Sequence, residues 1–130
     1  MFLGTFEINV TDTNRIALPI KIRKELGGER FVLTVGFEEC VLGYKEKEWE
    51  EGSKDILSRS VFYDKEARDI RRKTFSEAEI IKLDSQGRFV MPERMVKRSE
   101  MKESVLVIGA GDHFEIWDKT NWEEYRDKLQ

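Results

Sequence analysis

The sequence predicts an α+β domain, mostly β, built as two pseudo-symmetric halves with peripheral helices. Three observations predict it. The stretch Val10-Thr11-Asp12-Thr13-Asn14-Arg15-Ile16-Ala17-Leu18-Pro19 returns 73 positions later as Leu83-Asp84-Ser85-Gln86-Gly87-Arg88-Phe89-Val90-Met91-Pro92. Short apolar runs of strand length are separated by turn residues in both copies. A charged segment of helical character follows each proline.

The offset reads without a gap over about fifty residues, with about ten identities where average residue usage gives about three. Phe2 matches Phe75, Arg15 matches Arg88, Pro19 matches Pro92 and Lys24 matches Lys97. Val32-Leu33 matches Val105-Leu106, Gly36 matches Gly109, and Trp49-Glu50-Glu51 matches Trp122-Glu123-Glu124. The expected layout is a first repeat over 1–53, a connecting helical segment over 54–73 and a second repeat over 74–130. An internal pseudo-two-fold axis should then relate Arg15 to Arg88.

Residues 5–10 alternate, with Phe6, Ile8 and Val10 on one face, as in a half-buried strand. Residues 11–14 carry turn chemistry, and Asn14 tolerates positive φ. Ile16-Ala17-Leu18 forms the returning arm, which Pro19 ends because it offers no N–H to a ladder. A proline suits the first position of a helix and glycine suits its end, so 20–26 reads as a short helix stopped by Gly27-Gly28. Residues 31–35 and 40–44 read as strands, and 46–58 as a helix weakened by Gly52. Over 62–74, Asp64–Arg68 and Asp69–Lys73 are i,i+4 pairs favouring an exposed helix, with Phe62, Ala67 and Ile70 inward.

The second half repeats this plan. Residues 75–83 read as a strand, and Gly87 takes the place of Asn14 at the turn. Residues 89–91 form the returning arm, Pro92 opens a helix, and 105–108 and 113–117 are strands. Thr120-Asn121-Trp122-Glu123 has the form of a capping box for a C-terminal helix presenting Trp122, Tyr125 and Leu129 on one face.

Net charge is −3, yet it is unevenly spread. Residues 11–30 and 84–102 each carry five Lys/Arg against three Asp/Glu, and 54–73 carries seven against four. The repeated turns are therefore locally basic on an acidic body, a distribution that suits contact with nucleic acid and equally suits two ordinary solvated surfaces. No apolar run reaches the roughly 20 residues of a membrane span. The opening Met1-Phe2-Leu3-Gly4-Thr5-Phe6-Glu7 lacks the pattern of a secretory signal, so none is expected. The single Cys40 fits a reducing cytoplasm.

In the second copy Asp84 stands four residues before Arg88 across a tight turn. A carboxylate there can accept from turn N–H groups and hold the guanidinium by a charge-assisted bond. Such an arginine is ready to meet phosphate or the O6/N7 edge of guanine. The same spacing also suits a purely structural ion pair.

The whole chain resembles the MraZ family of bacterial transcriptional regulators, which carry a duplicated Asp-x-x-x-Arg motif. The resemblance rests on the Met1-Phe2-Leu3-Gly4 start, Arg15, Pro19 and Arg23, Trp49, Ala67-Arg68, Arg72, Leu83-Asp84 with Gly87-Arg88, Pro92 and Glu115-Ile116-Trp117-Asp118. It implies two fused swapped-hairpin barrel halves of the AbrB type. It further implies ring-like homo-oligomers, nucleoid association, and binding to repeated short G-rich boxes upstream of the division and cell-wall gene cluster, including the protein's own gene. The expected partners are therefore double-stranded DNA and further copies of the chain.

The first copy departs from the motif, with Thr11 at the aspartate position, Asp12 one place late and Asn14 replacing glycine. Its clamp is either absent or re-formed by Asp12. Arg15 and Arg88 are the expected DNA-contacting residues. Thr13, Asn14 and Gln86 are secondary contacts at the turns, and Lys21, Arg23 and Arg94 are phosphate contacts. Asp12, Asp84, Gly87, Pro19 and Pro92 shape the motif.

An enzyme needs converging titratable groups, and one histidine and one cysteine do not supply them. Cys40 and His113 match in the repeat but are too few to bind zinc, so neither metal, cofactor nor small-molecule substrate is expected. The rival to a DNA-binding regulator is an oligomeric protein-interaction module, antitoxin-like or a scaffold.

Overall fold

The computed structural model describes residues 1–129. In chain order the elements are β1 Thr5–Asn9, β2 Arg15–Ala17, α1 Ile20–Leu26, β3 Arg30–Val35, β4 Cys40–Tyr44, α2 Glu46–Ser58, α3 Lys65–Ser76, β5 Glu79–Lys82, β6 Arg88–Val90, α4 Glu93–Ser99, β7 Ser104–Gly109, β8 Phe114–Asp118 and α5 Lys119–Asp127. Eight strands and five helices make the fold α+β among the described residues, with six of the strands in one antiparallel sheet.

The strands form a six-stranded sheet, β1-β7-β8-β4-β3-β5, and a two-stranded ribbon, β2-β6. Every pairing is antiparallel. The sheet order reads the same from either end when each strand is exchanged for its counterpart. Each half lends its first strand to the other: β1 pairs with β7, and β5 pairs with β3. The returning arms β2 and β6 leave the sheet and pair with each other. The swapped hairpins are thus present, arranged as a sheet plus a ribbon rather than one closed barrel ladder.

The ungapped offset fails in one strand. Leu33 lies in the central core, whereas Leu106 lies on the other face of the sheet with Trp117. Phe31 and Val105 are the true counterparts, since Ile81 pairs with Phe31 and Ile8 with Val105. The cause is one extra residue before β7. Glu29 O accepts from Leu83 N, and Glu103 O accepts from Val10 N, while the helix caps Gly27 and Glu100 still match. The extra position brings in Met101, which is buried in the core. The next turn restores the frame: Gly36 N donates to Cys40 O, and Ala110 N donates to His113 O across one residue fewer. A one-residue slip exchanges the faces of a strand, so the Val-Leu and Gly identities are matches of sequence without being matches of place.

The central core gathers Ile16, Ile22, Leu33, Val41, Met91, Met95, Val107 and Ile116 around the rings of Phe2, Phe31, Phe89 and Phe114. Ring centroids are 5.4 Å apart for Phe31–Phe89 and 5.3 Å for Phe2–Phe114. On the opposite face Cys40, Leu42, Leu106, Ile108 and Trp117 pack beneath Trp122 and Tyr125 of α5. Asp118, rather than Thr120, caps α5 by accepting from Asn121 N at 3.2 Å. Leu129 is exposed, outside that apolar face.

The segment between the halves is helical, as its charge pattern suggests, with different pairings. Asp64 caps α3 by accepting from Ala67 N, and its other oxygen pairs with Arg59. Asp69 pairs with Lys65 and Arg72. Arg71 Nη2 donates to Leu57 O and Arg59 O, tying α3 to the C-terminus of α2. Ala67 is buried, but Phe62 is 84% exposed. Phe75 ends α3 against Trp49 instead of starting a strand, because α3 runs to Ser76 and β5 begins at Glu79. Among the described residues no helix is long and apolar enough to cross a membrane.

Candidate nucleic-acid interface

The β2–β6 ribbon places Ile16 opposite Phe89 at its centre, with Arg15 opposite Val90 and Ala17 opposite Arg88. Ile16 and Phe89 are buried, so the alternation of a strand sends Arg15, Ala17, Arg88 and Val90 to the outer face. The two arginines stand diagonally across the ribbon, at a Cα separation of about 7–8 Å for such neighbours. They are therefore two prongs of one surface. An open depression of about 340 Å³ runs between them, lined by Arg15, Lys82, Asp84, Arg88 and Val90. Lys82 was not among the residues expected here. Its position at the end of β5, two residues before Asp84, was the available signal.

The second turn is held as its sequence predicts. Asp84 N donates to Arg88 O at 2.9 Å, and Gly87 N donates to Asp84 O at 3.0 Å. The Asp84 carboxylate accepts from Gln86 N and Arg88 N, each at 2.9 Å, and from Arg88 Nε at 3.0 Å. The bond from the Arg88 main chain is the leading cause that lowers the Asp84 pKa below the ordinary aspartate value. Gly87 has φ 73, the left-handed conformation that glycine accepts without cost.

The first turn keeps the main-chain geometry and loses the clamp. Asn14 takes φ 59, and its N–H donates to Thr11 O at 3.0 Å. The Thr11 hydroxyl accepts from Arg15 N at 3.0 Å, doing for the backbone what Asp84 does in the other half. It has no second oxygen for the guanidinium. Asp12 does not replace it: among the described residues no carboxylate forms an ion pair with Arg15.

The remaining expected residues divide. Thr13 is exposed, with its hydroxyl 3.1 Å from that of Thr11, and Gln86 is exposed at the other tip. Lys21 is exposed on α1. Arg23 lies over Gly87, where an added Cβ would meet its Nε at 2.3 Å. Arg94 is engaged by other partners: its Nη2 donates to Glu79 at 2.9 Å and to Glu77 O at 3.1 Å. Pro19 and Pro92 sit at the helix caps, one place before the first helical residue, with extended ψ of 147° and 141°.

Burial, followed by the field of Glu115, pushes the Cys40 thiol up to about 12, too high for a nucleophile. His113 bridges Asp112 at 2.7 Å and Glu115 at 2.9 Å while stacking on Tyr44. Among the described residues no cluster is suited to hold a metal ion.

Comparison with known proteins points the same way as the paired turns. The family model described as "MraZ protein, putative antitoxin-like" matches residues 1–73 and again 74–130. A relative from Clostridium tetani, named transcriptional regulator MraZ, is 37% identical over 127 residues, covering 98% of this chain and 88% of its own. Relatives of the same name from Roseiflexus sp. and Oenococcus oeni are each 34% identical, covering 95% and 96% of this chain and 85% and 86% of their own. With both halves matched and the exchanged hairpins in place, the chain belongs to the MraZ family.

Proposed function

We propose that this protein is a sequence-specific DNA-binding transcriptional regulator, working as a homo-oligomer through the arginines of its β2–β6 ribbon. The observation that carries the reading is the outward placement of Arg15 and Arg88 at diagonal positions of one ribbon, beside Lys82 and Arg23. The names of the relatives support regulation of transcription. The targets are the repeated G-rich boxes upstream of the division and cell-wall gene cluster, including the protein's own promoter, which places the protein on the nucleoid in the cytoplasm. Guanine suits the site because its O6 and N7 accept two parallel N–H bonds from one guanidinium. Oligomerisation supplies affinity: weak single contacts become useful when several are held at the spacing of repeated boxes. No catalytic step is assigned.

A second reading, a protein-interaction module, is favoured by Phe62 and Tyr63, which are 84% and 96% exposed between α2 and α3. Salt separates the two. Contact with several phosphates weakens steeply as salt rises, through counterion release. The test is binding to the protein's own upstream duplex, at two salt concentrations, beside the same duplex with scrambled boxes. Salt-sensitive binding lost on scrambling supports the regulator. Equal binding, or none, to both duplexes favours the interaction module.

A further inference from the structure

We propose that the two ribbon arginines divide the work on DNA: Arg88 reads a base pair, and Arg15 holds phosphate. The inference rests on the DNA-binding reading above. It makes each chain an asymmetric reader despite its pseudo-symmetric fold, because only one of its two prongs carries sequence information.

The asymmetry is built into the two turns. Arg88 gives its Nε–H to Asp84, which fixes the guanidinium plane and leaves both Nη groups unbonded among the described residues. Two fixed, parallel donors are what a bidentate contact to guanine requires. The carboxylate also offsets the charge of Arg88, so that prong gains less from a phosphate than a free arginine would. A base edge is uncharged and carries no such penalty.

Arg23 adds a second difference between the turns, as a separate cation that can take phosphate beside the second turn and leave Arg88 to the base edge. It crosses from the first half to lie against Gly87, so a cation already stands beside the second turn. The counterpart of Arg23 under the repeat is Val96, which packs against the central core and brings no charge to the first turn. Among the described residues Arg15 forms no ion pair with a carboxylate, and the Thr11 hydroxyl takes only its main-chain N–H. A long cation without a fixed plane suits phosphate, which accepts from many directions and carries no sequence information. Lys82 lines the same depression, and among the described residues Asp12 forms no ion pair with Arg15.

Lysine substitutions separate the roles, because lysine keeps the charge and loses the fork. The measurement is fluorescence anisotropy of the full chain with its upstream duplex and the scrambled duplex, across a salt series, for wild type, Arg15→Lys, Arg88→Lys and Arg15→Ala. Arg88→Lys should cut the affinity ratio between the duplexes about tenfold or more, the loss of one bidentate base contact. Arg15→Lys should leave that ratio within about twofold. Arg15→Ala should weaken both duplexes alike and lower the salt slope by about one. Both side chains lie outside the core, and circular dichroism checks that each variant is folded. Loss of discrimination in Arg15→Lys equal to that in Arg88→Lys overturns the division while leaving the regulator reading intact. A wild type that does not discriminate removes both.

Discussion

Asp84 holds Arg88 at two points, accepting from its main-chain N at 2.9 Å and from its Nε at 3.0 Å. One residue thereby shapes a turn and aims the side chain at its end. The carboxylate binds better charged than neutral, so its pKa is depressed, first by the main-chain bond from Arg88. The sign follows from the direction: the clamp is present above the ordinary aspartate value and is lost as pH falls through the lower, folded value. By NMR, the Arg88 Nε–H should exchange with water more slowly than that of Arg15 at neutral pH. Asp84→Ala should bring the two rates together. Equal rates in the wild type would show that the clamp does not form in solution.

Gly87 occupies the left-handed region at φ 73. A residue with a Cβ costs about 1–2 kcal/mol there, and Arg23 must also move. Gly87→Ala should lower unfolding free energy by at least this amount in a urea titration. Gly87→Asn should cost less than Gly87→Ala, since Asn14 already adopts φ 59 in the equivalent turn. The reverse ranking would mean that displacement of Arg23 outweighs the backbone.

His113 stands between Asp112 and Glu115. Partial burial, the largest single influence, favours the neutral ring, but the bonds to Asp112 and then Glu115 together outweigh it and raise the pKa. A raised folded value means that the stabilisation is full below the unfolded histidine value and fades as pH climbs through the folded one. Thermal unfolding of wild type and His113→Gln from pH 5 to 9 should show the gap between them closing towards the alkaline end. A gap independent of pH would leave His113 with a packing role only.

Met101 is the residue by which the second half exceeds the first before its third strand, and it is buried. Met101→Ala should cost about 2–5 kcal/mol, as for a core methionine. The loop position of Met101, outside regular structure, would otherwise lead one to expect a surface effect below about 0.5 kcal/mol. Denaturant midpoints at unchanged slope decide between them.

Much of this architecture was legible in the chain. The hairpin arms, the turns at Asn14 and Gly87 and the helices after the prolines are local, and turn chemistry and alternation report local geometry well. The repeat correctly related Arg15 to Arg88 and Ile16 to Phe89. It misled at Val32-Leu33, because identity of letters does not record a one-residue insertion that a later turn cancels. Burial of Phe31 and Val105, set by the partner strands, decided the frame. The capping-box pattern at Thr120 points two residues past the true cap, because the Asp118 carboxylate reaches Asn121 N first. Arg94 was hidden by its tertiary partners, Glu79 and the Glu77 carbonyl, which no spacing reveals.

The exchange of first strands has a kinetic consequence. The β3–β4 and β7–β8 hairpins close over short turns and can form early. The β1–β7 ladder joins Thr5 to Ile108 and must wait until nearly the whole chain has been made. Ordering such a long loop before its contacts form costs entropy and slows folding. During synthesis β7 emerges last among the partners of these edge strands, so β1 waits unpaired through most of translation. The polar Thr5, Glu7 and Asn9 on its outer face keep that waiting strand from presenting an apolar edge to neighbouring chains.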